Sequence, residues 1–125
     1  MRKKRIYYKG KRVSKGENEI IIFLNETKIL FEKEKSFDKC LSLKGNKLRF
    51  DFWLPEYNTL IEFDGLHHFK PVNKYHRAQK THNSTKINDE IKNSFCQKNN
   101  INLIRISYKD IEYISLLIPY YLFNY

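Results

Sequence analysis

Two short aromatic-rich runs joined by a five-residue turn constrain this chain more than anything else in it. They are Leu48–Leu54 (LRFDFWL) and Leu60–Asp64 (LIEFD), with Pro55–Thr59 (PEYNT) between them and Gly65 closing the second. Aromatic and β-branched residues suit a pleated strand, and Pro, Asn and Gly punctuate it. The stretch therefore predicts a β-hairpin, with Phe50, Phe52 and Leu54 alternating on one face opposite Asp51 and Trp53. Glu62 and Asp64 flank Phe63 and share the other periodicity, so they point to one side of their strand. Pairing around the turn brings Asp51 close to Glu62. Carboxylates gathered on one side of a sheet repel one another and resist burial, and a divalent cation relieves both problems. One acid on the open side of a hairpin carries no information. Three on one side, beside His67 and His68, favour a metal site.

Length and charge narrow the setting. The chain has 125 residues, enough for a single core, and 41% of them are hydrophobic, which argues against disorder. Twenty-four Lys and Arg against fourteen Asp and Glu give a net charge of +10, which points to a polyanionic partner. The aromatic residues and the embedded acids make nucleic acid a better partner than a membrane surface. Cys40 and Cys96 are too few for a disulfide scaffold and lack metal-ligand spacing, which predicts reduced, partly buried thiols. The basic start is not followed by an apolar signal core, and Ile114–Phe123 is too short to span a bilayer. An intracellular, non-secreted protein is expected.

Taken in order, residues 1–15 read as a mobile basic arm, with Tyr7 and Tyr8 interleaved among Arg2, Lys3, Lys4, Arg5, Lys11 and Arg12. Residues 16–125 read as one domain. Gly16–Lys28 predicts a helix with Ile20, Ile21, Phe23 and Leu24 on its apolar face and Glu17 in its opening turn, where a carboxylate suits the helix dipole. Ile29–Lys33 predicts a strand, and Glu34–Asn46 a charged loop turning at Gly45-Asn46. After the hairpin, Pro71–Lys86 shows no apolar period and predicts a basic loop. There Lys74, Arg77 and Lys80, with Lys70 and His67 just before, suit phosphate contact. Asn88–Asn99 predicts a helix capped by Asn88 and stopped at Asn100, with Ile91 and Phe95 inward and Asp89 and Lys92 on one face. Ile101–Ile106 (INLIRI) predicts a strand buried on both sides, reached by a helical crossover. A last helix is expected from Ile111, capped by Asp110, with Ile114, Leu117 and Ile118 on the sheet and Pro119 ending or kinking it.

The string DFxLPE…IEFDGxxHF, carried by Asp51–Glu56 and Ile61–Phe69, resembles the metal-binding core of PD-(D/E)xK-type nucleases. In particular it resembles the branch related to very-short-patch-repair (Vsr-like) endonucleases and EDxHD homing endonucleases. Gly16-Glu17, Asp89 with Lys92 and Asn93, and Leu103–Ile106 extend the match over about Gly16 to Ile111. The resemblance implies a restriction-endonuclease-like α/β core: a mixed sheet of about four strands flanked by helices, in the order α-β-β-β-α-β-α. It implies that Glu17 approaches the metal from its helix and that His68, in the Asp-Gly-x-x-His pattern, is the general base. It also implies that the helix bearing Asp89 and Lys92 looks back at the hairpin. The chain departs from the pattern at Asp64, where the superfamily carries Lys; Lys92 supplies the missing cation, or His chemistry replaces it.

These readings converge on metal-dependent DNA hydrolysis, with Asp51, Glu62 and the Phe63 backbone carbonyl holding Mg²⁺ and Mn²⁺ as the alternative ion. Asp64, Asp89 and Glu17 shape the site. So compact a domain is expected to need a homodimer or an added recognition module for sequence specificity. A catalytically silent nucleic-acid-binding module on the same fold is the alternative, and a basic structural protein bound to RNA the third reading.

Overall fold

The computed structural model describes residues 4–65 and 76–123, with side chains in the second segment from residue 83 onward. Its elements are β1 (Ile6–Tyr8), β2 (Lys11–Val13), α1 (Lys15–Glu26), β3 (Glu32–Leu41), β4 (Lys47–Leu54), β5 (Thr59–Asp64), α2 (His76–Lys98), β6 (Asn102–Ser107) and α3 (Ile114–Phe123). Short 3₁₀ turns at Pro55–Tyr57 and Tyr108–Tyr113 join β4 to β5 and β6 to α3. β3, β4, β5 and β6 form one sheet in that order. The first three run antiparallel, and β6 lies parallel to β5, from Thr59 opposite Asn102 to Asp64 opposite Ser107. The parallel step needs a long crossover, and α2 provides it. This is the mixed four-stranded α/β sheet flanked by helices that the sequence implies.

One face of the sheet packs Phe52, Leu54, Ile61, Ile104 and Ile106 against Ile20, Ile21 and Leu24 of α1 and Ile114, Ile118 and Leu122 of α3. The other packs Phe50, Leu60, Trp53 and Leu103 against Ile91, Phe95 and Cys96 of α2. Phe50 and Phe52, two residues apart, thus lie on opposite faces, against the simple alternation expected of β4. β3 turns over at the same level: Lys33 lies over the Phe52 ring and Lys35 over that of Phe37, a neighbour of Phe50. Lys33 pairs with Phe52 and Lys35 with Phe50, which leaves Glu34, at φ 57°, across from Asp51. A left-handed residue in one strand re-aims the side chains beyond it, and here the two strands turn together.

Four other expectations change. The basic segment 4–13 is an ordered two-stranded ribbon, with Val13 buried and Ile6 and Tyr8 packed on the core. The charged run 34–41 is strand and not loop, because an edge strand can carry charges on its open side. Ser42–Asn46 alone makes the turn, with Gly45 at φ 88°. Residues 76–86 belong to α2 and not to a loop, so Asn88 lies inside a helix and is not its cap. The packed half of α2 around Ile91, Phe95 and Cys96 carries a polar first half that shows no apolar period. Its stop is where expected: Asn100 adopts φ 55° and the Ile101 N–H donates to the Cys96 carbonyl at 2.9 Å. Ser107, not Asp110, caps the following turn through the Lys109 N–H, and Pro119 lies inside α3 without ending it.

Candidate active site

α1 begins with a capping box. Ser14 Oγ accepts the Glu17 N–H at 3.2 Å, and Glu17 Oε1 lies 3.4 Å from the donating Ser14 N–H. The second oxygen of Glu17 accepts from Lys33 Nζ at 2.8 Å. Glu17 therefore starts its helix and also aims a carboxylate at the strand facing Asp51, whose proton it helps to retain. Gly16 makes this entry tight. A Cβ there would overlap the Phe63 ring, so only glycine lets the first turn of α1 close over the residue between Glu62 and Asp64.

The centre of the site is a reciprocal lock between β4 and β5. The regular ladder ends with Phe52 opposite Ile61. One residue beyond, side chains replace the backbone acceptors: the Asp51 N–H donates to Glu62 Oε1 at 2.8 Å, and the Phe63 N–H donates to Asp51 Oδ2 at 2.8 Å. Both carboxylates are thereby held at fixed positions. Burial and the neighbouring Glu62 carboxylate push the Asp51 carboxyl up to about 7, against the opposing pull of the Phe63 N–H. Lys92 reaches from α2 to Glu62 Oε2 at 2.8 Å, its ammonium buried and 5.0 Å from the centre of the Phe50 ring.

Beyond Glu62 the strand meets a second cluster. Arg105, opposite Glu62 in the parallel pair, places Nη1 at 3.3 Å from Asp64 Oδ1 and 3.4 Å from Asp89 Oδ1. It also donates to Asn93 Oδ1, at 2.9 Å from Nη2, and to the Asp89 carbonyl. Asp51, Glu62, Phe63 and Lys92 line a pocket of about 260 Å³ together with Thr85, Asn88 and Asp89 of α2.

Of the residues singled out in the sequence, Asp51, Glu62, Phe63, Asp89 and Lys92 thus meet in one pocket, and Glu17 and Asp64 flank it. His67, His68, Lys70, Lys74, Arg2 and Lys3 lie outside the described residues. Arg77 and Lys80 are placed on α2 by their backbone only. Among the described residues, no three His, Cys, Asp or Glu side chains converge closely enough to hold a metal ion. Sequence reasoning missed Arg105 and Lys33. The signal for Arg105 was its charge in the middle of an apolar strand; Lys33 gave none, because its partner Glu17 is on another element. Cys40 and Cys96 are free thiols buried in the α2-side core, more deeply than expected, and burial raises both, Cys96 to about 11.

No family model matches the chain. The uncharacterized protein 307L of Invertebrate iridescent virus 6 is 31% identical over 83 residues, covering 64% of this chain and 39% of that protein. The uncharacterized protein 033L of Invertebrate iridescent virus 3 is 28% identical over 96 residues, covering 76% of this chain and 50% of that protein. The chain thus spans half or less of the length of these viral relatives. Among solved structures, the catalytic domain of the homing endonuclease I-Bth0305I superposes with a TM-score of 0.53 at 15% identity, over 87% of this chain and 94% of that domain. The chain shares the fold of a nuclease catalytic domain.

Proposed function

We propose that the chain is a divalent-metal-dependent DNA endonuclease of the PD-(D/E)xK type, in the Vsr-like and EDxHD branch. The observation that carries this reading is the interlocked Asp51–Glu62 pair, set on a fold shared with a homing-endonuclease catalytic domain. The donor set suits a hard cation. Two fixed carboxylates are crowded enough that one holds a proton up to about pH 7, and a divalent ion would take that proton's place. Asp51, Glu62 and the Phe63 backbone carbonyl would hold Mg²⁺, or Mn²⁺. When bound, such an ion polarises the phosphate and lowers the pKa of a water.

The chain's own residues do the rest. Lys92, now on Glu62, gives a phosphate oxygen a buried ammonium. His68, four residues past Asp64, accepts the proton of the attacking water, and Asp89 orients it. Glu17 and Asp64 set the charge around the pair. Lys and Arg of the N-terminal segment and of residues 70–80 hold the DNA backbone inside the cell or host. A homodimer or an added module supplies sequence specificity. The Lys92–Glu62 ion pair favours a second reading, because it neutralises one carboxylate without metal: a silent DNA-binding module.

The test is nicking of supercoiled plasmid with Mg²⁺ or Mn²⁺, beside Mn²⁺ binding followed by electron paramagnetic resonance, for the wild type and Asp51→Ala. Cleavage and Mn²⁺ binding by the wild type, both lost in the variant, support the nuclease. Duplex binding by both proteins with no Mn²⁺ bound by either supports the silent module.

A further inference from the structure

The N-terminal segment, expected as a mobile arm, is instead a two-stranded ribbon with two unlike faces. β1 and β2 pair Ile6 with Val13, Tyr7 with Arg12 and Tyr8 with Lys11. Lys9 and Gly10, at φ 47° and 82°, make the connection, and two successive left-handed residues give the two-residue turn whose twist matches a hairpin. The inner face is anchored. Val13 is buried, the Tyr8 ring centre lies 6.1 Å from that of Phe31, and Phe31 continues the contact to Phe52. Lys11 is tied to Glu34 at 2.8 Å, on the β3 residue that stands across from Asp51.

The outer face is open and cationic. Tyr7 is 58% exposed, Arg12 is exposed beside it, and Arg5 is exposed one residue before the strand. Lys9 is exposed at the tip. A planar aromatic flanked by guanidinium groups gains little from facing water, and it suits base edges and phosphates together. The scaffold decides which groove. Two strands lie about 4.8 Å apart before their side chains are added, which overfills a minor groove of about 6 Å and fits a major groove of about 12 Å.

From these observations we infer that the ribbon of residues 6–13 enters the major groove of double-stranded DNA, with Arg5, Tyr7 and Arg12 facing the bases and Lys9 on the backbone. This rests on the reading of the chain as a DNA-acting protein and names the form of DNA it takes. Anchoring at Glu34 then sets the duplex next to the Asp51 strand, so the ribbon fixes where along the duplex the site falls.

The experiment is duplex binding by fluorescence anisotropy in EDTA, where cleavage plays no part. The triple variant Arg5→Ala/Tyr7→Ala/Arg12→Ala is compared with the wild type and with Lys28→Ala/Lys44→Ala, which removes two exposed charges elsewhere. The ribbon variant is expected to bind at least about 10-fold more weakly, while the control changes far less. Its thermal midpoint stays near wild type, since the three side chains are exposed. Duplex whose cytosines carry bulky glucosylated 5-hydroxymethyl groups is expected to bind weakly, and netropsin in the minor groove to leave binding intact. Equal losses in variant and control overturn the inference, as do competition by netropsin alone and a wild type that binds no duplex. A protein that cuts plasmid but binds duplex unchanged in the ribbon variant refutes the ribbon and spares the nuclease. A ribbon-dependent binder that never cuts does the reverse.

Discussion

Glu62 and Asp64 leave β5 in the same direction, two residues apart, and meet opposite surroundings. Asp64 faces a guanidinium that also holds Asp89 and Asn93, so its charge is matched by groups locked in place. Glu62 faces Asp51, and the cations nearby are committed one apiece: Lys92 to Glu62 and Lys33 to Glu17. Burial first, and then the Glu62 charge that no cation among the described residues fully offsets, push the Asp51 carboxyl up to about 7. A paired acid such as Asp64 holds the structure together. An acid kept short of charge is set up to receive a ligand, and the protein tolerates the cost because the backbone N–H groups of Asp51 and Phe63 fix both carboxylates.

The largest effect expected from breaking this contrast is on catalysis. Asp51→Ala should lower plasmid cleavage by several orders of magnitude while leaving the thermal midpoint unchanged or higher. A midpoint that collapses would move Asp51 to the structural side. Arg105→Met should do the opposite, destabilising by about 3 kcal/mol in urea titration because it takes the guanidinium away from the buried Asp64 and the partly buried Asp89. Adding Asp64→Asn to Arg105→Met should recover part of that loss; purely additive losses would show that the two side chains do not act as a unit.

Gly16→Ala sharpens the comparison at the helix that closes over both acids. The new methyl must displace the Phe63 ring, which should cost about 1–3 kcal/mol and shift the metal concentration needed for half-maximal cleavage. An unchanged metal dependence would detach Phe63 from the site. The smallest effect is on pH dependence without metal. A carboxyl raised from 3.8 to about 7 keeps its proton in the folded chain where the unfolded chain has released it. Stability from this group is therefore complete below about pH 4 and drains away as the pH climbs towards about 7. Asp51→Asn should raise the thermal midpoint by a few degrees at pH 8 and hardly at all at pH 4, and Mg²⁺ should narrow the gap at pH 8. A gain of equal size at both pH values would show that Asp51 is not crowded by charge.

Much of this was legible in the sequence because it is local. The hairpin 48–64 turns within a few residues, so its register follows from the turn, and Asp51 comes out beside Glu62. The stop at Asn100 and the helix at Gly16 carry their own chemistry in the same way. The misreadings fall where a residue answers to something distant. The first half of α2 has no pattern of its own and is helical because its second half packs. The edge strand β3 is charged because one of its sides is open. The early basic residues form a ribbon because Ile6, Tyr8 and Val13 find a core laid down by later elements.

What the sequence by itself determined, then, is the central hairpin, the helical crossover to the last strand, and the acid pair across the hairpin, all consequences of turn chemistry and strand periodicity. What only the tertiary structure decided is how that pair is charged. The joint turnover of β3 and β4 at Glu34 and Asp51 sends Phe50 and Phe52 to opposite faces and brings Lys33 to Glu17. The parallel register of β6 then delivers Arg105 to Asp64 and leaves Lys92 to Glu62. Partners this far apart along the chain share no local signal, because the electrostatic balance of a buried site depends on which elements close over it.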